Sequence, residues 1–421
     1  MSEPQNLPAR TGVLVVGAGE AGVRVAASLR ELGHDEPILL LGDEPHPPYQ
    51  RPPLSKAFLD GTTDHDTLAL RTPDFFREAR IEVRTGRPVA DLEIDDSGAG
   101  SARCAGGDTV AFDHLVLATG ARARTLPIGG ADLDGVCTLR SLHDAETLRA
   151  RLARAHRVVV LGAGYIGLEA AAVASARGLD TTVVERENRL LSRVSAAPLS
   201  EFLLDRHRAW GVRFELDTEV REIVGDSGRV QAVKLADGRE LPADLVVVGV
   251  GAVPGTELAE KLGLEVRRGI VVDTAGRTSH RGVFAAGDCT VLPHPHLSDE
   301  LLGVESVQNA NDQARAVAAA VAGVAPPPPA VPWFWSDQRD LKLQIAGISS
   351  GHDSYVVRSS SSGNDVTVLY YREGALIASE SVNRPKDFMA VKRALGKDRT
   401  IPPTAAADPD TLLKDLIIDR T

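Results

Sequence analysis

The feature that most constrains the fold is a glycine fingerprint of the form G-x-G-x-x-G, which the chain carries twice. The first copy runs from Gly17 to Gly22, and the second from Gly162 to Gly167, 145 residues further along. Each copy follows an apolar run and precedes a small-residue stretch and a second apolar run that ends in an acid. This order is typical of a βαβ nucleotide-binding unit. A repeat at so long an interval predicts two nucleotide-binding folds rather than a solenoid.

The first fingerprint gives each glycine a different task. Gly17 allows the tight turn from strand to helix, Gly19 lets backbone N–H groups approach a pyrophosphate, and Gly22 lets the helix pack on its strand. The N-terminus of that helix adds partial positive charge for the phosphates. At the end of the next strand, Asp43 is placed to accept hydrogen bonds from a ribose diol, with Glu44 as a close alternative.

The second fingerprint unit ends in a carboxylate that bears on the choice of nucleotide. Glu185 closes its second strand, where a carboxylate would accept from ribose hydroxyls and repel a 2′-phosphate. We therefore expect NADH rather than NADPH. Arg186 and Arg189 keep the alternative open, because either guanidinium could pair with a phosphate.

Length, charge and cysteine content exclude several classes of protein. A chain of 421 residues is too long for one core, so two or three domains are expected. The net charge of −11 offers no basic stripe for nucleic acid. We find neither an apolar run of about 18 residues nor a signal-peptide pattern, so a cytoplasmic protein without a membrane segment is expected. The three cysteines form no C-x-x-C pair, so neither a dithiol redox motif nor a metal site is expected: Cys104, Cys137 and Cys289.

The order of patterns along the chain predicts an α/β protein with two Rossmann-like dinucleotide-binding domains and a C-terminal α+β domain. Strands and helices alternate up to the proline run Pro326–Pro329, which favours parallel sheets. Period-two alternation then predicts an antiparallel sheet. A closing helix is expected after it, from about Pro385 to Leu395. The Pro/Ala/Asp-rich tail is expected to be loosely held, apart from a short helix near Leu412. The predicted domains are 1–117 with 248–330, 118–247, and 331–421.

Two further stretches identify the first nucleotide by resemblance. LVLATG, from Leu115 to Gly120, and TSHRGVFAAGDC, from Thr278 to Cys289, are apolar strands that end in small-residue turns. Together with an N-terminal fingerprint they resemble the two-dinucleotide flavoproteins typified by glutathione reductase. That resemblance implies FAD in the first site, with Asp288 on its ribityl chain. Because the chain lacks a reactive cysteine pair, exit of electrons through a protein thiol is not expected, and an external acceptor is.

A set of motifs narrows the resemblance. PYQRPPLSK, GAGYIGLEAAA, ESVQNANDQA, PWFWSDQ and SVNRPKDFMAVKRAL occur in this order between Val13 and Leu395. They are similar to the ferredoxin reductases of bacterial oxygenase systems, which include putidaredoxin reductase and the reductases of biphenyl- and toluene-type dioxygenases. This resemblance implies hydride transfer from NADH to FAD. Two single-electron transfers then go to a 2Fe–2S ferredoxin that feeds a cytochrome monooxygenase or a ring-hydroxylating dioxygenase.

The same resemblance assigns roles to individual positions. The FAD contacts that it implies are Ala21, Asp43, Lys56, Val89, Arg140, Asp288 and Val307. The contacts of the second nucleotide, taken from the fingerprint and the resemblance together, are Gly162, Gly164, Ile166, Gly167, Glu169, Glu185, Arg193, Gly249 and Gly251.

Lys56 and Glu169 are expected to form an ion pair beside the flavin, where the ammonium would favour the reduced ring. Without the resemblance, they read as a surface lysine and a helix-face charge. Tyr165 is expected to cover the flavin until nicotinamide displaces it, or else to pack at a domain interface. Trp335 is expected to line the electron exit, with core packing beside Trp333 as the alternative.

Arg315 matches a basic position that docks acidic ferredoxins, although it could equally be a solvated arginine on an alanine-rich helix. Three other functions remain open at this point. Two are a rubredoxin reductase and an NADH oxidase, the latter disfavoured by the missing cysteine. The third is an NADH-sensing flavoprotein of the apoptosis-inducing-factor type.

Overall fold

The computed structural model describes residues 7–298, 300–361 and 363–420. Within these residues the chain divides into two compact units. The first unit comprises the described residues up to Gln50 together with 65–122 and 253–330. The second comprises 51–64, 123–252 and the described residues from Val331 onward.

The first unit is built on a mixed sheet around the buried strand Arg10–Val16. This strand has parallel neighbours on both sides, Ile38–Leu41 and Thr109–Leu117, which is why its residues from Thr11 onward are buried. The helices Glu20–Glu31 and Val307–Val321 contribute to the same apolar core as one face of the sheet. The strand order is Ile81–Arg84, Ile38–Leu41, Arg10–Val16, Thr109–Leu117, Gly100–Cys104 and Val89–Ile94, with Val283–Ala285 parallel to Thr109–Leu117.

Shorter elements complete the first unit. The helices are Pro73–Glu78, Glu257–Lys261 and the 3₁₀ turn Asp66–Leu68, and the strands are Ile270–Val271, Thr290–Pro293 and Leu301–Leu302. Two short strands, Ala121–Ala123 and Ala252–Pro254, lie where the chain passes between the units.

The second unit contains a parallel sheet, a small antiparallel sheet and the larger C-terminal antiparallel sheet. The parallel sheet is the second βαβ fold, whose observed strand–helix–strand elements are Arg157–Leu161, Tyr165–Ala176 and Asp180–Val184. Its strand order is Arg213–Glu215, Asp180–Val184, Arg157–Leu161, Leu245–Val248 and Val136–Thr138. A small antiparallel sheet is formed by Val220–Asp226, Arg229–Leu235 and Glu240–Pro242.

The C-terminal region forms the antiparallel sheet that the period-two alternation predicts. Its strand order is Trp333–Gln338, Leu341–Gly347, Ala375–Val382, Val366–Arg372 and Ser354–Arg358. The closing helix spans Pro385–Leu395, as predicted, and buries Phe388 and Val391 in the core of this sheet. The remaining helices of the unit are Ala57–Asp60, Leu142–Leu152, Ala197–Ala209 and Pro403–Ala406, with 3₁₀ turns at Pro52–Ser55 and Leu413–Asp415. The predicted fold class is confirmed.

The expectation of a loosely held tail is wrong. The guanidinium of Arg358, 1% exposed, donates to the backbone carbonyls of Ala406, Asp408, Pro409 and Thr411. Ile401, Ala406 and Leu413 are buried against the C-terminal sheet, and Arg399–Thr400 pairs with Ile418–Asp419. The Pro/Ala/Asp-rich composition favoured a loosely held segment. One buried arginine, however, donates hydrogen bonds to backbone carbonyls that such a segment would otherwise leave unpaired. The short helix near Leu412 is present as the 3₁₀ turn Leu413–Asp415.

Among the described residues, we find no helix that is both long and apolar enough to cross a bilayer. The same part of the chain holds no cluster of three or more histidine, cysteine or acidic side chains arranged to bind a metal ion.

Candidate dinucleotide sites and redox centre

The first glycine turn has the geometry that a pyrophosphate needs. Gly17 has a φ of +114°, and a Cβ there would lie 2.0 Å from the carbonyl oxygen of Ala118. A Cβ at Gly22 would lie 1.9 Å from the carbonyl oxygen of Gly17, so the helix can approach its strand only without a side chain. At Gly19, by contrast, a Cβ would meet nothing within 4 Å. The turn therefore leaves an open face at the N-terminus of the helix, where a phosphate is favoured.

The two acids that follow this turn, Asp43 and Glu44, differ in exposure and in hydrogen bonding. Asp43 is exposed at the end of the strand Ile38–Leu41, and its carboxylate accepts from the backbone N–H of Glu44. Glu44 is half-buried and already accepts from the hydroxyl of Tyr49 at 2.7 Å. Of the two candidates that the sequence left, Asp43 is the one turned to solvent.

The other predicted FAD contacts fall into two groups. In the first unit, the turn before Asp288 approaches the first helix closely, because a Cβ on Gly287 would lie 3.0 Å from the Cβ of Ala21. Val307 begins the helix Val307–Val321, and Val89 begins the strand Val89–Ile94. Arg140 and Lys56 lie in the second unit.

The second glycine turn repeats this geometry. Gly162 has a φ of +99°, and a Cβ on Gly167 would lie 2.1 Å from its carbonyl oxygen. At Gly164 the nearest atom to a Cβ would be the carbonyl oxygen of Gly249, at 3.9 Å. The open face therefore looks toward the strand-ending turn at Gly249, and Ile166, 40% exposed, lies beside it on the helix.

The segment 189–196 brings one basic side chain, Arg193, to this turn. The backbone N–H of Leu191 donates to the carbonyl oxygen of Ala163, which ties the segment to the glycines. A guanidinium nitrogen of Arg193 lies 3.8 Å from the position that a Cβ on Gly251 would take. The structure thus brings the predicted residues Arg193, Gly249 and Gly251 to one side of the second turn.

The carboxylate of Glu185 is fixed on the second turn by backbone donors. One oxygen accepts from the N–H of Ala163 at 2.6 Å, and the other from the N–H of Glu187 at 2.9 Å. Arg189 donates to the carbonyl oxygens of Ser192 and Ser195 and to the hydroxyl of Ser200, so its guanidinium braces its own segment. This leaves Arg186, an exposed side chain paired with Glu187, as the guanidinium with freedom to reach a phosphate.

Tyr165 occupies the turn with its ring half-buried. The ring packs against Phe334, with 4.8 Å between the ring centroids. Its hydroxyl is hydrogen-bonded to Ser195, and burial raises the pKa of that hydroxyl above its ordinary value. The ring of Tyr165 is thus partly exposed, while its hydroxyl is held by a hydrogen bond.

Lys56 and Glu169 form the predicted ion pair within the second unit. The ammonium of Lys56 lies 2.9 Å from one oxygen of Glu169, which also accepts from the hydroxyl of Ser55. The other oxygen accepts from the hydroxyl of Ser336 at 2.6 Å. Glu169 is 1% exposed, and the lysine side chain 15%. Burial of a carboxylate is costly, and three donors offset that cost. The two serines are functional partners that the sequence analysis missed.

Trp335 and Trp333 stack on one another, with 5.4 Å between centroids and 29° between the ring planes. The ring of Trp333 also packs against the buried ring of Phe388, and the ammonium of Lys392 lies over the ring of Trp333. Trp335 remains half-buried next to Ser336, the residue that holds Glu169. Arg315 lies in the first unit, exposed on the helix Val307–Val321 and paired with Asp312 at 2.8 Å.

A groove in the C-terminal region was not foreseen. It has a volume of about 690 Å³ and lies between the closing helix and the segment around Leu413. Its exposed rim carries three cations around two apolar side chains: Lys386, Arg393 and Lys414 around Met389 and Leu412. The signal in the sequence was the spacing of Lys386, Met389 and Arg393, which places them on one helix face.

The three cysteines are free and buried. Burial raises the pKa of each thiol, which disfavours the thiolate that disulfide chemistry needs.

The structure contains two βαβ folds with a glycine turn, and each has an acid at the end of its next strand. Together with the C-terminal antiparallel sheet, these folds are typical of a reductase that binds two dinucleotides. The chain belongs to the pyridine nucleotide-disulphide oxidoreductase family, whose model matches residues 11–314, and a reductase C-terminal model matches residues 333–417. Family membership implies binding of FAD and NAD(P)H.

Rhodocoxin reductase of Rhodococcus erythropolis is 43% identical, over 96% of this chain and 93% of its own length. The crystal structure of the ferredoxin reductase for the CYP199A2 system from Rhodopseudomonas palustris has a TM-score of 0.91 at 43% identity. That match covers 97% of this chain and 99% of the other. The covalent putidaredoxin reductase–putidaredoxin complex gives a TM-score of 0.92 at 38% identity, covering 96% and 98%.

Proposed function

We propose that the protein is an NADH-dependent flavoprotein reductase that delivers electrons to a 2Fe–2S ferredoxin serving an oxygenase. The proposal rests on one observation above all. The chain carries two open glycine turns with their own acids, while its described cysteines are buried and separate. A donor site and an acceptor site without a thiol relay require an external electron acceptor. The relatives support the identity of that acceptor, since one is named as the ferredoxin reductase for the CYP199A2 system and another as the ferredoxin reductase subunit of an O-demethylase.

The first turn fits FAD. The space at Gly19 admits a pyrophosphate, Asp43 is free to take ribose hydroxyls, and Asp288 stands beside the first helix as the ribityl contact. FAD, when bound, takes two electrons at once from a nicotinamide and gives them up singly. The remaining contacts proposed for it are Ala21, Lys56, Val89, Arg140 and Val307.

The second turn fits NADH better than NADPH. Glu185 is already held against the turn by two backbone N–H groups, so its carboxylate meets the ribose without reorganising. A 2′-phosphate would face this fixed negative charge, and Arg189 is committed to its own segment. We assign Arg193, Gly249 and Gly251 to the nicotinamide half of the site.

Lys56 is proposed to present its ammonium to the reactive edge of the flavin. Glu169 fixes that ammonium, and Ser55 and Ser336 fix the carboxylate, so the charge is aimed before substrate binds. A positive charge held there favours the electron-rich ring. Tyr165 is proposed to cover the ring face until nicotinamide takes its place.

The groove at the C-terminus is proposed as part of the docking surface for the ferredoxin. The protein as a whole carries a net charge of −11, so a rim of Lys386, Arg393 and Lys414 is a local reversal of sign. An acidic partner would be steered to it, and Met389 and Leu412 supply apolar contact. Arg315 and Trp335 remain proposed partner contacts, with Trp335 at the electron exit.

Turnover with NADH tests the proposal. We expect slow oxygen consumption with NADH alone and a large acceleration of cytochrome c reduction when a 2Fe–2S ferredoxin is added, with NADPH a poor donor. Fast oxygen consumption that no ferredoxin changes would identify an oxidase instead. Acceleration by a rubredoxin but by no ferredoxin would identify a rubredoxin reductase.

A further inference from the structure

Glu380 is a buried carboxylate that the proposed function does not use. It lies on the strand Ala375–Val382 of the C-terminal sheet and is 1% exposed. One oxygen accepts from the hydroxyl of Ser195 at 2.8 Å, and the other accepts from the hydroxyl of Tyr370. Unlike Glu169, it has no ammonium or guanidinium among its hydrogen-bond donors in the described residues.

Both donors of Glu380 lead to the segment that carries Arg193. Ser195 belongs to that segment, and the hydroxyl of Tyr370 accepts from the backbone N–H of Ala196 at 3.0 Å. Ser195 and Ala196 are buried, whereas Arg193 is exposed and reaches Gly251. The segment is therefore anchored at one end by Glu380 and presents its arginine at the other.

The same network reaches the glycine turn. The hydroxyl of Tyr165 is hydrogen-bonded to Ser195, and the hydroxyl of Ser195 in turn donates to Glu380. A chain of hydroxyls thus connects Tyr165 in the second turn to a carboxylate of the C-terminal sheet.

We propose that Glu380 is a positioning residue of the NADH site, whose ionised form holds the segment 192–196 and the tip of Tyr165 in place. This inference rests on the assignment of the second turn to NADH. An ionised carboxylate only accepts hydrogen bonds, so it satisfies Ser195 and Tyr370 together. A protonated one must donate to one of these hydroxyls, which then loses its own acceptor. Protonation therefore releases one anchor of the segment.

The surroundings of Glu380 place this change near neutral pH. Burial raises the pKa of Glu380 from its ordinary value to about 7, which outweighs the opposite effects of Tyr370, Ser195 and the more distant Arg189. The other titratable groups facing it are the hydroxyls of Tyr165 and Tyr370, and burial raises the pKa of both, so they stay neutral. The ring of His352 packs on the far side of Tyr370, at 4.9 Å between centroids.

The effect on stability has the opposite sign to the effect on binding. Because the pKa of Glu380 is higher in the folded than in the unfolded chain, its contribution to stability is complete below the unfolded pKa. That contribution is lost as pH rises through about 7. A higher pH thus favours the ionised form of Glu380, which holds the segment 192–196 for nucleotide binding. The same rise in pH lowers the free energy of unfolding.

Equilibrium binding of NAD⁺ to the FAD-loaded protein, at about pH 6 and about pH 8.5, tests the inference together with thermal unfolding. Wild type is expected to bind about fivefold more tightly at the higher pH, the ratio set by one ordinary hydrogen bond. Glu380→Gln should hold the weaker affinity at both pH values and should gain thermal stability relative to wild type at the higher pH.

A matched pair of tyrosines supplies the control. Tyr370→Phe removes the hydroxyl that donates to Glu380, whereas Tyr371→Phe removes a neighbouring buried hydroxyl that has no hydrogen-bond partner. The first should weaken NAD⁺ binding, and the second should leave it unchanged. If Glu380→Gln does not fold, Ser195→Ala and Tyr370→Phe carry the test.

An affinity of wild type that is equal at both pH values, or a pH dependence that survives in Glu380→Gln, would overturn the inference while leaving the proposed function intact. A wild type that binds NAD⁺ with the expected pH dependence but reduces no ferredoxin would overturn the function alone.

Discussion

The two glycine turns have nearly the same backbone but different surroundings. In the first, the acid Asp43 is exposed and bonded only locally, to the N–H of Glu44. In the second, the carboxylate of Glu185 accepts from the backbone N–H groups of Ala163 and Glu187, which hold it on the turn. The first turn is flanked by the Gly287–Asp288 turn of its own unit, and the second by a segment anchored to the C-terminal sheet. We propose that the surrounding contacts decide whether this motif serves a retained cofactor or an exchanged one.

The strongest way to break this comparison is to add one methyl group to each turn. Gly22→Ala and Gly167→Ala place a Cβ about 2 Å from a carbonyl oxygen of their own turn. We expect Gly22→Ala to yield protein without FAD, measured by flavin absorption of the purified chain. Gly167→Ala should keep FAD and lose NADH-dependent reduction of it.

Gly178→Ala is the control for that pair, because a Cβ there meets nothing within 4 Å although its φ is +75°. This variant should lower the free energy of unfolding by only about 1 kcal/mol and should leave both nucleotides bound. Loss of FAD in Gly167→Ala, with NADH binding retained, would reverse the assignment of the two turns.

The buried ion pair gives the next largest effect. Lys56→Met leaves Glu169 without its cation and should lower the free energy of unfolding by about 3 kcal/mol, measured by denaturant titration. The double variant Lys56→Met/Glu169→Leu should recover that stability without recovering the rate of flavin reduction. Recovery of both would mean that the pair has only a structural role. Lys397→Met, at an exposed lysine, is the control.

The two acids sharpen the comparison. Glu185→Ala should raise the KM for NADH about tenfold and narrow the preference over NADPH, while FAD retention stays unchanged. Asp43→Ala should do the reverse, weakening FAD retention with little effect on the KM for NADH. If the ratio of NADH to NADPH turnover does not move in Glu185→Ala, the ribose assignment is wrong.

The smallest effect is expected outside both turns. The double charge reversal Arg393→Glu/Lys414→Glu should raise the KM for an acidic ferredoxin about fivefold, more at low salt than at high salt. Reduction of ferricyanide by NADH should not change. Lys397→Glu, at the end of the same helix but outside the groove, is the matched control, and an equal effect there would remove the groove from the docking surface.

Local patterns were sufficient to predict the elements, because glycine spacing and apolar periodicity act over a few residues. Both βαβ units, the antiparallel sheet and the closing helix were predicted in this way. The contacts that hold the buried carboxylates in place could not be predicted from local patterns. Ser55 and Ser336 reach Glu169 across 114 and 167 residues of sequence, and Ser195 reaches Glu380 across 185. Nothing in the local sequence of a serine distinguishes a partner of a buried carboxylate from a surface hydroxyl.

The prediction for the tail failed for the same reason. Its composition is that of a solvated segment, and the residue that orders it, Arg358, lies about 50 residues earlier on a strand. The sequence favours Asp43 for the ribose but keeps Glu44 as a close alternative. Only the hydrogen bond from Tyr49 to Glu44 separates them.

The division of labour between the two turns is tested most directly by counting nucleotides. FAD-loaded protein is titrated with NAD⁺, and both the bound NAD⁺ and the released FAD are measured. We expect one NAD⁺ per chain with the full complement of FAD retained. Release of FAD in step with NAD⁺ binding would show that the two nucleotides compete for one turn and would contradict the account.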